Sequence, residues 1–337
     1  MKNYGSQLKT SILLEIRNIS KSLWIKVFGI IWIMTLIYNF FLMLPQYKLL
    51  GDSLCLSSYI IQVIIFLGIF TGFFLVYFEK QYSYEEIFIS IPNAYFLKYI
   101  SKIICLFIMT LIIFLTSGIL YTIVFFKVNE PWEQYIQIIK FLLYYWTIPF
   151  FISGLIGYYT TLWIHSKKIY GILILFGMLL GSIISIIFEP ILNIDKIGYQ
   201  YISIFNLGVI QYNQGLNTMF GYPVEQTVLN IRLFYIIGLL SLIFPYIAKY
   251  QIHKWKKVII LITSITSIIC IGIGIFMNYN YISEHRDINI INKYSVLYEK
   301  ENKTTQNTQY QIQKYSVTLE DNHEISAQVS MDIQLQN

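Results

Sequence analysis

The strongest constraint on this chain is a series of long apolar stretches joined by polar connectors. A helix crosses the hydrocarbon core of a bilayer with about 20 apolar residues. Stretches of suitable length predict seven spans, at residues 23–43, 58–78, 103–126, 141–163, 169–188, 233–248 and 258–278. Charged residues make up only 12% of the 337 residues, against about 25% in soluble domains. The sequence therefore predicts an all-α polytopic membrane protein and excludes a soluble or disordered chain.

The basic residues predict how the spans are oriented. Lysine, arginine and histidine cluster before the first span and after the second, fourth and sixth spans. The residues are Lys2, Lys9, Arg17, Lys21, Lys80, Lys98, Lys102, His165, Lys167, Lys168, Lys249, His253, Lys254, Lys256 and Lys257. Basic loops face the cytoplasm, so the N-terminus is predicted to be cytoplasmic and the C-terminus extracytoplasmic, in the cytoplasmic membrane of the cell. The net charge of +6 is explained by topology, and no nucleic-acid partner is expected.

The predicted spans lack ionisable residues in their central parts. The nearest are Lys26, Glu79 and Glu189, all close to span ends. Ion-coupled transporters place such groups at membrane depth, so proton-driven transport is disfavoured. The sequence contains no phosphate-binding G-x-x-x-x-G-K-[ST] motif. The pair His323-Glu324 begins a zinc motif, but Ala327 occupies the position of the second histidine. No enzyme, metal site or cofactor is expected in this chain.

The N-terminal segment, residues 1–22, predicts an amphipathic helix that lies in the cytoplasmic interface before the first span. Its apolar residues recur at intervals of three or four, which places them on one face of a helix. They are Leu8, Ile12, Ile16, Ile19 and Leu23. The alternative is an ordinary polar lead-in to the first span.

The loop between the second and third spans, residues 79–102, predicts a short apolar helix. Glu85 and Glu86 begin this segment, where the helix dipole favours carboxylates, and Pro92 ends it. The loop resembles that of ABC export permeases of the second type, the ABC-2-like family. The matching positions are Glu79, Glu86, the aliphatic run 87–89, Ser90, Pro92 and Lys102. The Gly-Thr pair of that family is replaced by Ser83-Tyr84.

The resemblance implies that this loop is a coupling helix, which inserts into a separate ATPase subunit. The residues then expected to couple the two subunits are Glu79, Glu85, Glu86, Phe88, Ser90, Pro92 and Lys102. It also implies a six-helix permease core at residues 23–250, with an outer loop at 189–232. A second permease subunit, identical or homologous, would complete the transporter, while ATP and magnesium would bind the ATPase subunits.

Two features go beyond a six-span permease: a seventh span within residues 251–278 and a tail at residues 279–337. The tail alternates like two strands, at residues 310–319 and 325–335, with a slip of phase at Lys314. This pair resembles the opening hairpin of the β-domain in zinc aminopeptidases, some of which are fused to permease-like segments. The tail carries none of their catalytic residues.

The functional expectation is an ABC exporter subunit that moves an amphipathic peptide, antibiotic or lipid across the bilayer. Polar side chains of the spans are candidates to line the pathway, namely Thr116, Ser117, Tyr145 and Thr147. The alternative is a membrane anchor or sensor that uses the same spans without transport and presents its outer tail to a partner.

Overall fold

The structure, a computed structural model, describes most, but not all, of the residues. The described ranges are 4–43, 58–81, 94–128, 132–164, 168–181, 205–208, 226–248, 256–302, 310–321 and 325–335. Five predicted coupling residues, Glu85, Glu86, Phe88, Ser90 and Pro92, lie outside these ranges, as does most of the predicted outer loop. Glu79 falls inside a helix, but its side chain is outside the described part.

The described chain as far as residue 302 is almost entirely helical, apart from short pieces such as residues 205–208. They are α1 Tyr4–Lys21, α2 Leu23–Ile37, α3 Ser58–Gln81, α4 Ala94–Val128, α5 Trp132–Phe141, α6 Ile148–Trp163, α7 Ile169–Leu180, α8 Gln226–Ser241, α9 Ile243–Ala248 and α10 Lys256–Asn302. Two π-helical segments interrupt this pattern. Tyr38–Met43 continues α2, and Leu142–Thr147 joins α5 to α6.

Six helical segments are long and apolar enough to cross a membrane, so the chain is a polytopic membrane protein. They are Leu23–Phe40, Tyr59–Tyr77, Leu97–Val124, Tyr135–Trp163, Gln226–Pro245 and Val258–Tyr281. The fifth predicted span, 169–188, is described only as α7, whose 12 residues extend about 18 Å at 1.5 Å per residue. A total of seven spans therefore stays a prediction.

The sixth predicted span, 233–248, begins too late. Helix α8 already covers residues 226–232, which the sequence assigned to the outer loop because Gln226, Asn230 and Arg232 lower the local hydropathy. Arg232 consequently lies well inside the span Gln226–Pro245. The expectation that no ionisable residue occupies a span interior is wrong at this position.

The centre of the helical core is the close contact between α3 and α6. Small residues on both helices allow it: Gly68 and Gly72 on α3 face Ser153, Gly154 and Gly157 on α6. A Cβ atom on Gly72 would overlap the carbonyl oxygen of Gly154. Gly68 and Gly72 form a G-x-x-x-G pattern, which lets membrane helices approach closely enough for their backbones to touch.

The chain divides into two compact units, Met1–His285 and Arg286–Asn337. The second unit contains strands β1 Tyr310–Asp321 and β2 Ile325–Leu335, which pair antiparallel. The ladder has an irregularity between Ile312 and Lys314, where the sequence alternation slips. A single hairpin is marginally stable in water. The extracytoplasmic location of this tail stays a prediction.

Candidate functional site

A buried ion pair joins the amphipathic helix α1 to the start of α4. The ammonium group of Lys102 lies 3.3 Å from each carboxylate oxygen of Glu15. The Lys102 side chain is 1% exposed and that of Glu15 10%. Lys102 also donates a hydrogen bond to the backbone carbonyl of Leu75 near the end of α3. One lysine therefore connects α1, α3 and α4.

Two further contacts hold α1 against α4 beside the ion pair. The Ser11 hydroxyl donates to the Ser101 hydroxyl at 2.9 Å, and the Cys105 thiol lies 3.9 Å from the carbonyl of Ile12. Ser11, Ile12 and Glu15 lie within about one helical turn of α1 and on one side of it, because residues three and four apart are neighbours on a helix surface. One face of helix α1 therefore packs against α4.

The amphipathic helix predicted for residues 1–22 is present, but its faces differ in part from the expected ones. The face toward the protein contains Leu8, Ile12 and Glu15, with Glu15 at 8% exposure. Leu13 and Leu14, each 56% exposed, lie on the opposite side, where a membrane interface can cover them. The carboxylate is stable at its position because Lys102 neutralises it there.

A second polar cluster lies near the other end of the spans. The Asn39 amide donates to the Tyr121 hydroxyl at 3.1 Å, and the Tyr59 hydroxyl donates to the Asn39 carbonyl oxygen at 3.2 Å. Asn39 and Tyr121 are fully buried. Lys102 and Tyr121 share helix α4, where roughly 28 Å of helix separates them at 1.5 Å per residue. The two polar clusters therefore lie on opposite sides of the apolar core.

The four predicted pathway residues take different positions. Thr116 accepts a hydrogen bond from the Trp32 indole at 3.0 Å. Ser117 and Thr147 are buried, and their hydroxyls donate to carbonyls of their own helical segments. The Tyr145 ring lies beneath the guanidinium of Arg232, 4.5 Å from its central carbon. Whether these residues line a pathway stays a prediction.

Arg232 is the functional candidate that the sequence missed. It is 4% exposed inside α8, and its Nη2 donates to the carbonyl of Leu207 at 2.7 Å. The segment that contains Leu207 is held against the end of α7, because the Leu207 amide donates to the Leu180 carbonyl at 2.8 Å. The available signal was the apolar stretch after residue 226, which continues on both sides of this arginine.

No cluster of three or more histidine, cysteine, aspartate or glutamate residues suited to a metal ion occurs in the described ranges. Comparison of the chain with protein-family models, with curated proteins and with solved structures finds no match. Of the predicted coupling residues, only Lys102 has a described side chain, and it points into the protein to contact Glu15. Function is therefore inferred from the geometry around Lys102 and from the residues of the loop.

Proposed function

We propose that the chain is the membrane-spanning permease subunit of an ABC exporter, with its N-terminus in the cytoplasm. It moves an amphipathic peptide, antibiotic or lipid, using ATP hydrolysed by separate ATPase subunits, and pairs with a second permease subunit. The observation that carries this proposal is the position of Lys102. It connects the interfacial helix α1 to both helices that flank the coupling segment, α3 before it and α4 after it.

This arrangement suits the transmission of movement from a partner protein. A displacement of residues 82–93 would act on the end of α3 and the start of α4. Lys102 connects both helices to α1, because it contacts Leu75 on α3 and Glu15 on α1. Buried ion pairs are retained in some proteins because they fix the register of packed elements. Lys102 is a positioning residue in this proposal: it acts on the ATPase through the loop that it holds.

The substrate class is proposed from the chemistry of the span interiors. Asn39, Tyr121 and Thr116 are satisfied by contacts with neighbouring spans. Most other buried side chains of the core are apolar or aromatic, although Arg232 is buried there as well. Such a lining suits a molecule with a large apolar part better than a hydrated ion, which needs polar or charged groups along its whole path.

The alternative is a non-transporting anchor or sensor that presents its tail to a partner. The observation that favours it is the separate compact unit formed by residues 286–337, with a strand pair of its own. A lone hairpin gains stability by docking on another protein. The two functions differ in their dependence on Glu86 and Pro92, which only the exporter requires.

The test is affinity purification of the full chain from its native membrane in a mild detergent. The exporter is expected to retain an ATPase subunit, and the Glu86→Gln variant is expected to retain less of it. Glu133→Gln is the matched control, because Glu133 lies in the predicted connector on the opposite side of the membrane. Recovery of wild-type protein that transports without any bound ATPase contradicts the proposal.

A further inference from the structure

Arg232 occupies a position at which a positive charge is costly. It lies inside the span Gln226–Pro245 and is 4% exposed. A buried charge is unfavourable unless another group neutralises it. Ionisable residues inside membrane spans commonly mark binding sites or transport pathways for this reason.

The contacts of Arg232 satisfy only part of its guanidinium. Nη2 donates to the Leu207 carbonyl at 2.7 Å, and the Tyr145 ring lies 4.5 Å from the central carbon. Nη1 is buried, and no described residue offers it a hydrogen-bond acceptor. A guanidinium carries five N–H donors in a planar fork. The Nη1 side of this fork is therefore available to an acceptor that the described residues do not provide.

Among the described residues, Arg232 contacts an aromatic ring rather than a negatively charged group. The Tyr145 ring packs against the guanidinium, and no carboxylate of the described residues lies within ion-pair distance of it. Tyr145 lies in the π-helical segment Leu142–Thr147. Single π-helical turns are frequent at functional sites. A buried cation whose Nη1 has neither an acceptor nor a counter-charge among the described residues favours an anionic ligand that is rich in oxygen atoms.

We propose that Arg232 binds the phosphate group of an anionic amphiphile inside the membrane. The arginine fork matches two phosphate oxygens, which a lysine cannot contact in the same way. Three exposed apolar side chains lie on the same two segments as Leu207 and Arg232 and can contact the alkyl chains of such a ligand: Phe205 at 42%, Leu233 at 42% and Ile237 at 50%. Because Nη1 is buried, the proposal requires the side chains that cover it to move when the ligand binds. This site requires the membrane location of the chain but not its transport activity.

The test measures thermal unfolding of the full chain in neutral detergent micelles with three separate additions: phosphatidylglycerol, diacylglycerol and inorganic phosphate. Ligands that bind only the folded state raise its unfolding temperature. Phosphatidylglycerol is expected to stabilise the wild type, and diacylglycerol, which has the same chains without phosphate, is not. The Arg232→Met variant is expected to lose this stabilisation. Lys140→Met, which removes an exposed cation on α5, is expected to keep it.

The outcomes separate the ligand sources and test the proposal. Stabilisation by inorganic phosphate that depends on Arg232 assigns the site to a free anion, whereas stabilisation by phosphatidylglycerol alone assigns it to a membrane lipid. The proposal is overturned if phosphatidylglycerol stabilises the wild type and Arg232→Met equally, or if diacylglycerol stabilises the wild type as much as phosphatidylglycerol does.

If Arg232→Met does not fold, Arg232→Lys serves instead. This variant is expected to need at least about tenfold more phosphatidylglycerol for half of the maximal rise in unfolding temperature, because the lysine ammonium lacks the planar donor geometry of a guanidinium. An unchanged requirement contradicts the proposal.

Discussion

The ammonium group of Lys102 lies 3.3 Å from both carboxylate oxygens of Glu15, and both side chains are almost completely buried. This pair joins a helix at the N-terminus to the start of the third span, and through Leu75 to the end of the second. It is the contact on which the proposed coupling between a partner ATPase and the spans depends.

Removing one member of the pair is expected to destabilise the protein more than removing both. A buried charge without its partner costs about 3–5 kcal/mol, while replacement of the whole pair by apolar residues is often neutral. We expect Lys102→Met to lower the free energy of unfolding by about 3 kcal/mol, and the double variant with Glu15→Met to recover most of it. Denaturant titration in micelles measures the free energy of unfolding of the wild type and of each variant. Additive losses in the double variant contradict a direct interaction between the two residues.

Any side chain at Gly72 is expected to destabilise the protein. A Cβ atom there would overlap the Gly154 carbonyl, so Gly72→Ala must separate α3 from α6 and is expected to cost about 1–3 kcal/mol. Gly118→Ala is the matched control, because no atom lies within 4 Å of its added Cβ. It is expected to be neutral or slightly stabilising, since alanine favours helix over glycine. Equal effects of the two substitutions on thermal unfolding contradict the close contact.

The buried Asn39–Tyr121 hydrogen bond is expected to contribute measurably to stability. Tyr121→Phe removes the acceptor of the Asn39 amide and leaves a buried donor unsatisfied, at a cost of about 1 kcal/mol. Tyr38→Phe removes a hydroxyl from an exposed tyrosine and is expected to have no effect. The unfolding midpoints of both variants and the wild type give the comparison. A Tyr121→Phe variant as stable as the wild type shows that the bond contributes nothing.

The coupling segment is expected to control ATP hydrolysis by the partner. In proteoliposomes that contain the complex, Glu86→Gln and Pro92→Ala are expected to lower the substrate-stimulated ATPase rate at least about tenfold, equivalent to 1.4 kcal/mol or more. The first removes a carboxylate from the start of the predicted helix and the second removes the residue that ends it. Glu133→Gln is expected to leave the rate unchanged. Unaltered rates in the Glu86 and Pro92 variants favour the anchor or sensor function.

Hydropathy and periodicity predicted much of the helical core because they report burial in the bilayer directly. They misplaced the start of α8, since one arginine and nearby polar residues lower the average over a window although the helix continues through them. Whether an arginine ends a span or sits inside it depends on tertiary contacts, here the Leu207 carbonyl and the Tyr145 ring. The apolar residues on both sides of Arg232 allow the helix to continue, but these contacts lie outside the segment and cannot be read from it.

The Glu15–Lys102 pair shows a second limit of the sequence. The residues are far apart along the chain, and each is consistent with solvent exposure when considered alone. Their pairing follows from how α1 lies on α4, which the apolar stripe of α1 only partly determines. The G-x-x-x-G pattern of Gly68 and Gly72, in contrast, is local and could have predicted that α3 takes part in a close helix contact.

The most direct test of the proposed function is site-specific photocrosslinking from residue 88 in the native membrane. A photoreactive residue in place of Phe88 is expected to crosslink to an ATPase subunit, because the proposed coupling helix inserts into that subunit. The same residue in place of Gln134, in the predicted connector on the opposite side, is expected to give no such product. A Phe88 position that crosslinks to no ATPase, or only as much as position 134, contradicts the account.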